Sequence, residues 1–210
     1  MLMQSARRQK GDTLIEVLFA FTIFSLVVVG AITIMNQGTV AAQRSLETTI
    51  VRQEIDSQAT TLRFLHDAYV AAYQSNGAYP ATTAAGQWKL MADNLSATSA
   101  SAFDTGSTKC PTPPAGSFIL NGAQAKFIKG SSIILIPASS YAQLTYDATS
   151  NELLSAAGVW IEGIRSPVPA DTNAQNARFI DFHIRACWDN PGPGPAMTIG
   201  TIVRLYEPRG

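Results

Sequence analysis

Apolar residues are concentrated at the start of the chain and thin out into periodic stripes further on. From Thr13 to Met35 the sequence reads TLIEVLFAFTIFSLVVVGAITIM, with Glu16 as its single charged residue. A helix of about 22 residues rising about 1.5 Å each covers roughly 33 Å, enough to cross a hydrocarbon layer of about 30 Å. Beyond Met35 the pattern becomes amphipathic: Val51, Ile55, Leu62, Leu65 and Tyr69 recur at spacings that share one helical face. Arg52/Asp56 and Arg63/Asp67 stand four residues apart on other faces, where such pairs add about 0.3 kcal/mol each. No proline occurs from Asp12 to Tyr79, and Asn76-Gly77 followed by Pro80 reads as a stop. The pattern predicts one nearly continuous helix over about residues 13–75, with a break at Asn36-Gln37-Gly38 as the alternative. Gly30, inside the apolar run, weakens a helix by about 1 kcal/mol relative to Ala. It either permits local melting or is tolerated by packing.

The second half has a different texture. Residues 76–117 are rich in Ala, Thr, Ser, Gly and Pro and read as a long loop, with a short helix near Gln87–Leu95. Six strand candidates follow: Ser117–Leu120, Ser132–Ile136, Gln143–Tyr146, Gly158–Ile164, Arg178–Cys187 and Thr198–Tyr206. Their spacing predicts an antiparallel sheet, and helix first with strands later is an α+β order. Ile180, Phe182, Ile184, Ala186 and Trp188 alternate onto one strand face, which should meet the helix; Asp181, His183, Arg185 and Cys187 take the other. Cys187 therefore points away from that core, where a covering loop bearing Cys110 can reach it.

Composition sharpens part of this picture. Cys110 and Cys187 are an even pair with no zinc-type spacing. They are either a disulfide or two unrelated buried thiols, and the strand geometry favours the bridge. In the chain-entropy account a loop of that length contributes up to ~4.5 kcal/mol. A bridge also requires an oxidising compartment. Basic and acidic residues balance at 15 each, but Arg7, Arg8 and Lys10 all precede the apolar run. Without residues 1–11 the chain is mildly acidic, which disfavours nucleic-acid binding by net charge and leaves a local patch open. Arg178, Arg185, Arg204 and Arg209 are the candidates for such a patch.

Signatures of catalysis are missing from the sequence. It has no phosphate-binding loop, no G-x-S-x-G and no H-E-x-x-H, and His66 and His183 have no metal-ligand spacing. Neither enzymatic activity nor a cofactor is expected. Asp181, His183 and Arg185 are expected to form a solvated polar strand face. Asp189-Asn190-Pro191-Gly192-Pro193-Gly194-Pro195 is turn chemistry between two strands.

Three readings compete for the N-terminal run. A secretory signal peptide has an apolar core of about 7–15 residues ending in a small-residue cleavage site; this run is longer. An uncleaved anchor fits the length, with Arg7, Arg8 and Lys10 placing the N-terminus in the cytoplasm and residues 36–210 outside. It gives no reason for Glu16, since an acid inside a membrane helix costs about 2.5–3.5 kcal/mol at the centre. The third reading supplies that reason. The segment Lys10-Gly11-Asp12-Thr13-Leu14-Ile15-Glu16-Val17, after a basic leader and before an apolar helix, resembles the prepilin motif of type IV pilins and type II secretion pseudopilins.

That resemblance covers about the first 35 residues and carries several implications. A prepilin peptidase would cut between Gly11 and Asp12, Gly11 letting the backbone lie close to the protease. N-methylation of Asp12 would follow. Glu16 would serve assembly, pairing the free amine of a neighbouring subunit in an apolar surround. The chain departs from the pattern at Asp12, where the family usually has Phe; this adds a negative charge beside the new amine. The implied organisation is a leader over 1–11, a transmembrane and fibre-core helix over 12–35, its amphipathic continuation over 36–75, a helix-to-sheet loop over 76–116 and a sheet domain over 117–210. The implied function is a structural subunit, a pilin and more specifically a minor pilin. A pseudopilin and a tip-located adhesin or DNA-binding pilin are the alternatives. The partners would be other pilin subunits, the peptidase, the pilus assembly machinery and, before assembly, the inner membrane. An extracellular fibre supporting adhesion or twitching motility is the implied destination.

Overall fold

The computed structural model describes residues 12–97, 99–101, 108–166, 178–190 and 194–208. The chain divides into two compact units, Met1–Gln43 and Arg44–Gly210. Helix α1 (Asp12–Gln74) contributes to both. In the first unit it runs unbroken through Asn36-Gln37-Gly38. Its C-terminus lies in the second unit and follows from Asn76-Gly77. Asn76 adopts φ 49°, the Gly77 amide donates to Ala72 O at 2.8 Å, and the Asn76 amide donates to Tyr73 O at 3.1 Å. These are the two closing bonds of a left-handed helix cap, with Asn in the position more often given to Gly.

A second helix, α2 (Ala84–Asp93), begins three residues before the predicted start because Thr83 caps it, its hydroxyl accepting from the Gly86 amide. Among the described residues eight strands follow: β1 (Phe118–Asn121), β2 (Lys126–Lys129), β3 (Ile134–Ile136), β4 (Gln143–Tyr146), β5 (Leu153–Ala157), β6 (Val159–Arg165), β7 (Phe179–Trp188) and β8 (Met197–Tyr206). Five form an antiparallel sheet in the order β2-β1-β6-β7-β8, and three form a second, mixed sheet in the order β3-β5-β4, with β3 parallel to β5. The predicted α+β class with an antiparallel sheet stands. The second sheet and the strands β2 and β5 are additions. Strand β2 is four residues bounded by Lys126 and Lys129, and β5 (LLSAA) lacks β-branched residues; β5 is held by pairing on both sides rather than by propensity.

Gly158 is the joint between the sheets. Its φ is +67°, and a Cβ there would stand 2.1 Å from Cys187 O. Its amide donates to Ile136 O, and its carbonyl accepts from the Cys187 amide, both at 2.8 Å. Only glycine satisfies the conformation and the close approach together.

The predicted stripe of α1 is the helical half of the core. Val51, Ile55, Leu62 and Leu65 are buried in one cluster with Phe118, Ile119 and Leu120 of β1, Ile161 of β6 and Ile180, Phe182, Ile184, Ala186 and Trp188 of β7. Three polar residues on the same helix are also buried, and one of them, Thr61, donates to Ser57 O at 2.9 Å within the helix. The Gln58 side chain donates to Leu120 O at 2.9 Å and accepts from the Leu120 amide at 3.0 Å. It thus supplies the ladder bonds that β1 lacks beyond its single paired position with β6, Phe118 opposite Ile161. Glu47 accepts from the Trp188 indole at 3.1 Å, tying the start of this unit's helix to the end of β7. The i,i+4 pairs predicted on the exposed faces do not close within 4.0 Å; Asp67 lies instead 3.4 Å from His66. Long exposed side chains gain little from being fixed in water.

Leu62 is fully buried and Phe64 is 55% exposed on the same helix. Leu62→Ala should lower unfolding stability by about 2–5 kcal/mol, the cost of lost transfer energy plus a cavity. Phe64→Ala should stay within about 0.5 kcal/mol. Urea unfolding of the detergent-solubilised chain measures both.

Candidate functional site

The described part of the first unit is a helix, and none of its described side chains is buried. Leu14, Phe19, Phe21, Phe24 and Leu26 are each more than 60% exposed. The mean hydropathy of its most apolar stretch is 2.6, long and apolar enough to cross a membrane. Its hydroxyls are satisfied within the helix itself: Thr22 donates to Phe19 O at 2.7 Å, Ser25 to Phe21 O at 2.8 Å and Thr33 to Val29 O at 2.9 Å. Such back-bonding is what lets Ser and Thr sit in hydrocarbon without an orphaned donor. Glu16 is the exception. It is exposed, and among the described residues it makes no hydrogen bond or ion pair. A carboxylate in an apolar surround requires neutralisation or a partner, and nothing described in its own chain supplies one. At Gly30 a Cβ would meet no other group within 4 Å, so packing inside the chain does not account for that glycine. Gly11 and the leader lie outside the described residues, and Asp12 opens α1. The expected cleavage after Gly11 and methylation of Asp12 therefore concern a bond on which the described structure is silent.

In the second unit the two cysteines are joined. Cys110 and Cys187 form a disulfide with Cα atoms 5.6 Å apart, inside the usual range. As alternation required, Cys187 leaves the helix-facing side of β7. That other face is not the solvated one expected, however. Trp160, Cys187 and Ala196 form a second small core there, with Cys110 packed against it. Glu162 and Arg185 are buried beside it, 3% and 8% exposed. The Glu162 carboxylate accepts from the Trp160 indole at 2.9 Å and from the amide and hydroxyl of Ser101, each at 2.9 Å. Arg185 lies 3.1 Å from Glu162 Oε1 and donates to Ser101 O at 2.8 Å. Ser101 and Cys110 lie against this end of the face, and Arg185 is buried and ion-paired rather than solvated. The sequence around Ser101 and Cys110 has no periodicity that would announce where they lie.

The other end of the same face is more open. Arg204 makes a bidentate contact with Asp181, both bonds 2.7 Å, and its guanidinium stands 3.9 Å from the centre of the Phe179 ring. These bonds hold the Asp181 carboxyl below the usual carboxylate range, partly opposed by desolvation. His183, half-buried between them, has its imidazole pushed down by burial first and by Arg185 second.

Three of the four arginines of the predicted basic patch are ion-paired. Arg178 lies 3.3 Å from Glu207, Arg185 pairs with Glu162 and Arg204 with Asp181; Arg209 lies outside the described residues. Cross-strand register sets Asp181 opposite Arg204 and offsets its charge. His66 and His183 serve different places: His66 Nε2 meets Tyr206 O at 2.8 Å on the helix-facing side. Among the described residues no three His, Cys, Asp or Glu side chains are grouped to hold a metal.

The profile of the prokaryotic N-terminal methylation motif matches residues 6–32, which include Arg7, Arg8, Lys10, Gly11, Glu16 and most of the apolar run. No curated protein and no solved structure matches the chain. The profile match touches no residue of the Arg44–Gly210 unit, and it supports a type IV pilin-like or pseudopilin-like chain with an apolar N-terminal helix as its membrane anchor.

Proposed function

We propose that this chain is a structural subunit of an extracellular fibre, a type IV pilin of the minor kind, held in the inner membrane as a precursor and released into the fibre after cleavage at Gly11–Asp12. The observation that carries this reading is the motif over residues 6–32 combined with Glu16, an acid without a partner among the described residues of an otherwise apolar exposed helix. Once the leader is removed, the new amine at Asp12 needs a counter-charge in the fibre core. Glu16 of a neighbouring subunit supplies it, and the surrounding apolar side chains exclude water from the pair. The disulfide agrees with a domain on the oxidising side of the membrane.

Intact mass and N-terminal sequencing test this, on protein recovered from sheared surface fibres and from membranes. The expected result is a chain beginning at Asp12 in the fibre fraction, with the added mass of one methyl group. A chain beginning at Met1 and confined to membranes, in cells with an active peptidase, overturns the reading in favour of a plain signal anchor. A chain cut at Asp12 but absent from surface fibres, and recovered with a secretion complex, assigns it to the pseudopilins instead.

A further inference from the structure

The C-terminal end of α1 carries a groove in the Arg44–Gly210 unit. Its walls include His66, Tyr73, Gln74, Asn76, Tyr79 and Pro208, and it is an open groove of about 840 Å³, a volume within the range of small-ligand sites of about 300–1,000 Å³. The groove is aromatic and polar at once, and among the described residues no Asp, Glu, Lys or Arg lines it.

Its aromatic residues are joined to the core by ring contacts. A ladder of rings leads from the core outward: Phe182 to Trp88 at 5.6 Å, Trp88 to Tyr69 at 6.3 Å, Tyr69 to Tyr79 at 5.1 Å and Tyr69 to Tyr73 at 6.3 Å between centroids. Phe182 and Trp88 are fully buried, whereas Tyr73 and Tyr79 are half-exposed. Neither phenol hydroxyl of that outer pair makes a hydrogen bond among the described residues. The opposite wall is fixed by the 2.8 Å contact of His66 Nε2 with the Tyr206 carbonyl. The helix cap places Gln74 and Asn76 at the rim, both exposed.

We propose that this groove is a binding site for a neutral saccharide. A sugar ring offers an apolar C–H face and a rim of hydroxyls. The first matches a planar phenol face, which is apolar in body and polar at one edge. The second matches side-chain amides, which donate and accept at once. An anionic ligand such as a phosphate or nucleic acid needs cations in the wall, and among the described residues no Lys or Arg lines the groove, the nearby Lys89 being paired with Asp93. Nearby Arg165 and Arg178 are both engaged with Glu207. The inference is independent of the fibre reading, because every residue it uses belongs to the Arg44–Gly210 unit.

The full chain in a zwitterionic detergent without a sugar head group is titrated calorimetrically with lactose, cellobiose and diacetylchitobiose, and with a single-stranded DNA oligonucleotide for contrast. The expected result is saturable binding of at least one saccharide with Kd on the order of 1 mM, unchanged between about 50 and 500 mM salt. Tyr73→Ala/Tyr79→Ala should weaken it roughly tenfold or more, while Tyr73→Phe/Tyr79→Phe, which keeps both rings, retains most of it. A thermal unfolding midpoint for the alanine variant close to wild type shows that the loss is local; if the alanine variant unfolds, the phenylalanine pair and direct chemical-shift mapping onto Tyr73 and Tyr79 carry the test. No saturable signal from any of the three saccharides overturns the proposal. So does saccharide binding indifferent to the tyrosines, or salt-sensitive oligonucleotide binding at the groove in its place.

Discussion

Glu16→Leu should remove the chain from sheared fibres almost completely while leaving its cleavage after Gly11 unchanged and its membrane level at or above that of wild type. The argument is electrostatic. In the fibre core proposed above, the amine of one subunit is desolvated and Glu16 of the next is its counter-charge. Taking away one member of a buried pair costs about 3–5 kcal/mol, because the other is left buried and uncompensated. At about 1.4 kcal/mol per decade that is a loss of roughly 100-fold or more in subunit affinity, repeated at every joint of the fibre. Insertion should move the other way, since removing an acid from a membrane helix lowers the cost of the inserted state. The substitution therefore separates assembly from targeting. Quantitative immunoblots of fibre and membrane fractions give both numbers, and mass spectrometry of the membrane fraction reports cleavage. Glu16→Gln keeps an acceptor without the charge and should fall between leucine and wild type. Wild-type amounts of Glu16→Leu chain in fibres would show that the new amine finds its partner elsewhere, and Asp12, beside it in sequence, would be the first residue to examine.

How much of this was legible in the sequence depended on periodicity. The Thr13–Met35 run and the Val51–Tyr69 stripe are strong one-dimensional signals, and both lie in α1 as expected. The alternation in β7 gave its two faces and, with them, the Cys110–Cys187 bridge. What alternation does not report is what covers a face. The residues around Ser101 carry no pattern, so Asp181, His183 and Arg185 read as one solvated row; the structure splits them into an open end at Asp181 and a buried end at Arg185. Gln58 was invisible for a related reason. A glutamine within an apolar stripe reads as a surface position, and only the short pairing of β1 with β6 explains why one should be buried. The aromatic groove was hidden by distance along the chain, since His66, Tyr79 and Pro208 meet only through the fold. Within the candidate assembly helix the opposite holds. Glu16 was legible because its anomaly is local, one charge in an apolar run, and no tertiary contact was needed to notice it.

Arg185→Met should be among the most destabilising single substitutions in the second unit, at about 3–5 kcal/mol. Methionine fills much of the same volume, so a cavity is not the main cost. The cost comes from Glu162, which keeps the indole of Trp160 and the amide of Ser101 but loses its counter-charge while remaining 3% exposed. The arginine also holds the carbonyl of Ser101, so the covering segment loses a bond on the side where the disulfide does not reach. If the desolvated charge is the cause, neutralising it should repair the damage. Glu162→Gln/Arg185→Met keeps an acceptor for the indole, removes both charges and should recover half or more of the loss, because exchanging a buried pair for neutral groups of similar size is often close to neutral. The two changes are thus strongly non-additive, as expected of side chains in contact. Urea unfolding followed by tryptophan fluorescence measures this, with the disulfide intact in every variant. Arg185→Met within about 0.5 kcal/mol of wild type would mean that water reaches Glu162 and that Ser101 is held by Glu162 without help from Arg185. A large loss with no recovery in the double variant would assign the effect to the Ser101 contact instead. The expected pattern, loss and then recovery, assigns the cost to the Glu162 charge, left without its partner in a buried site.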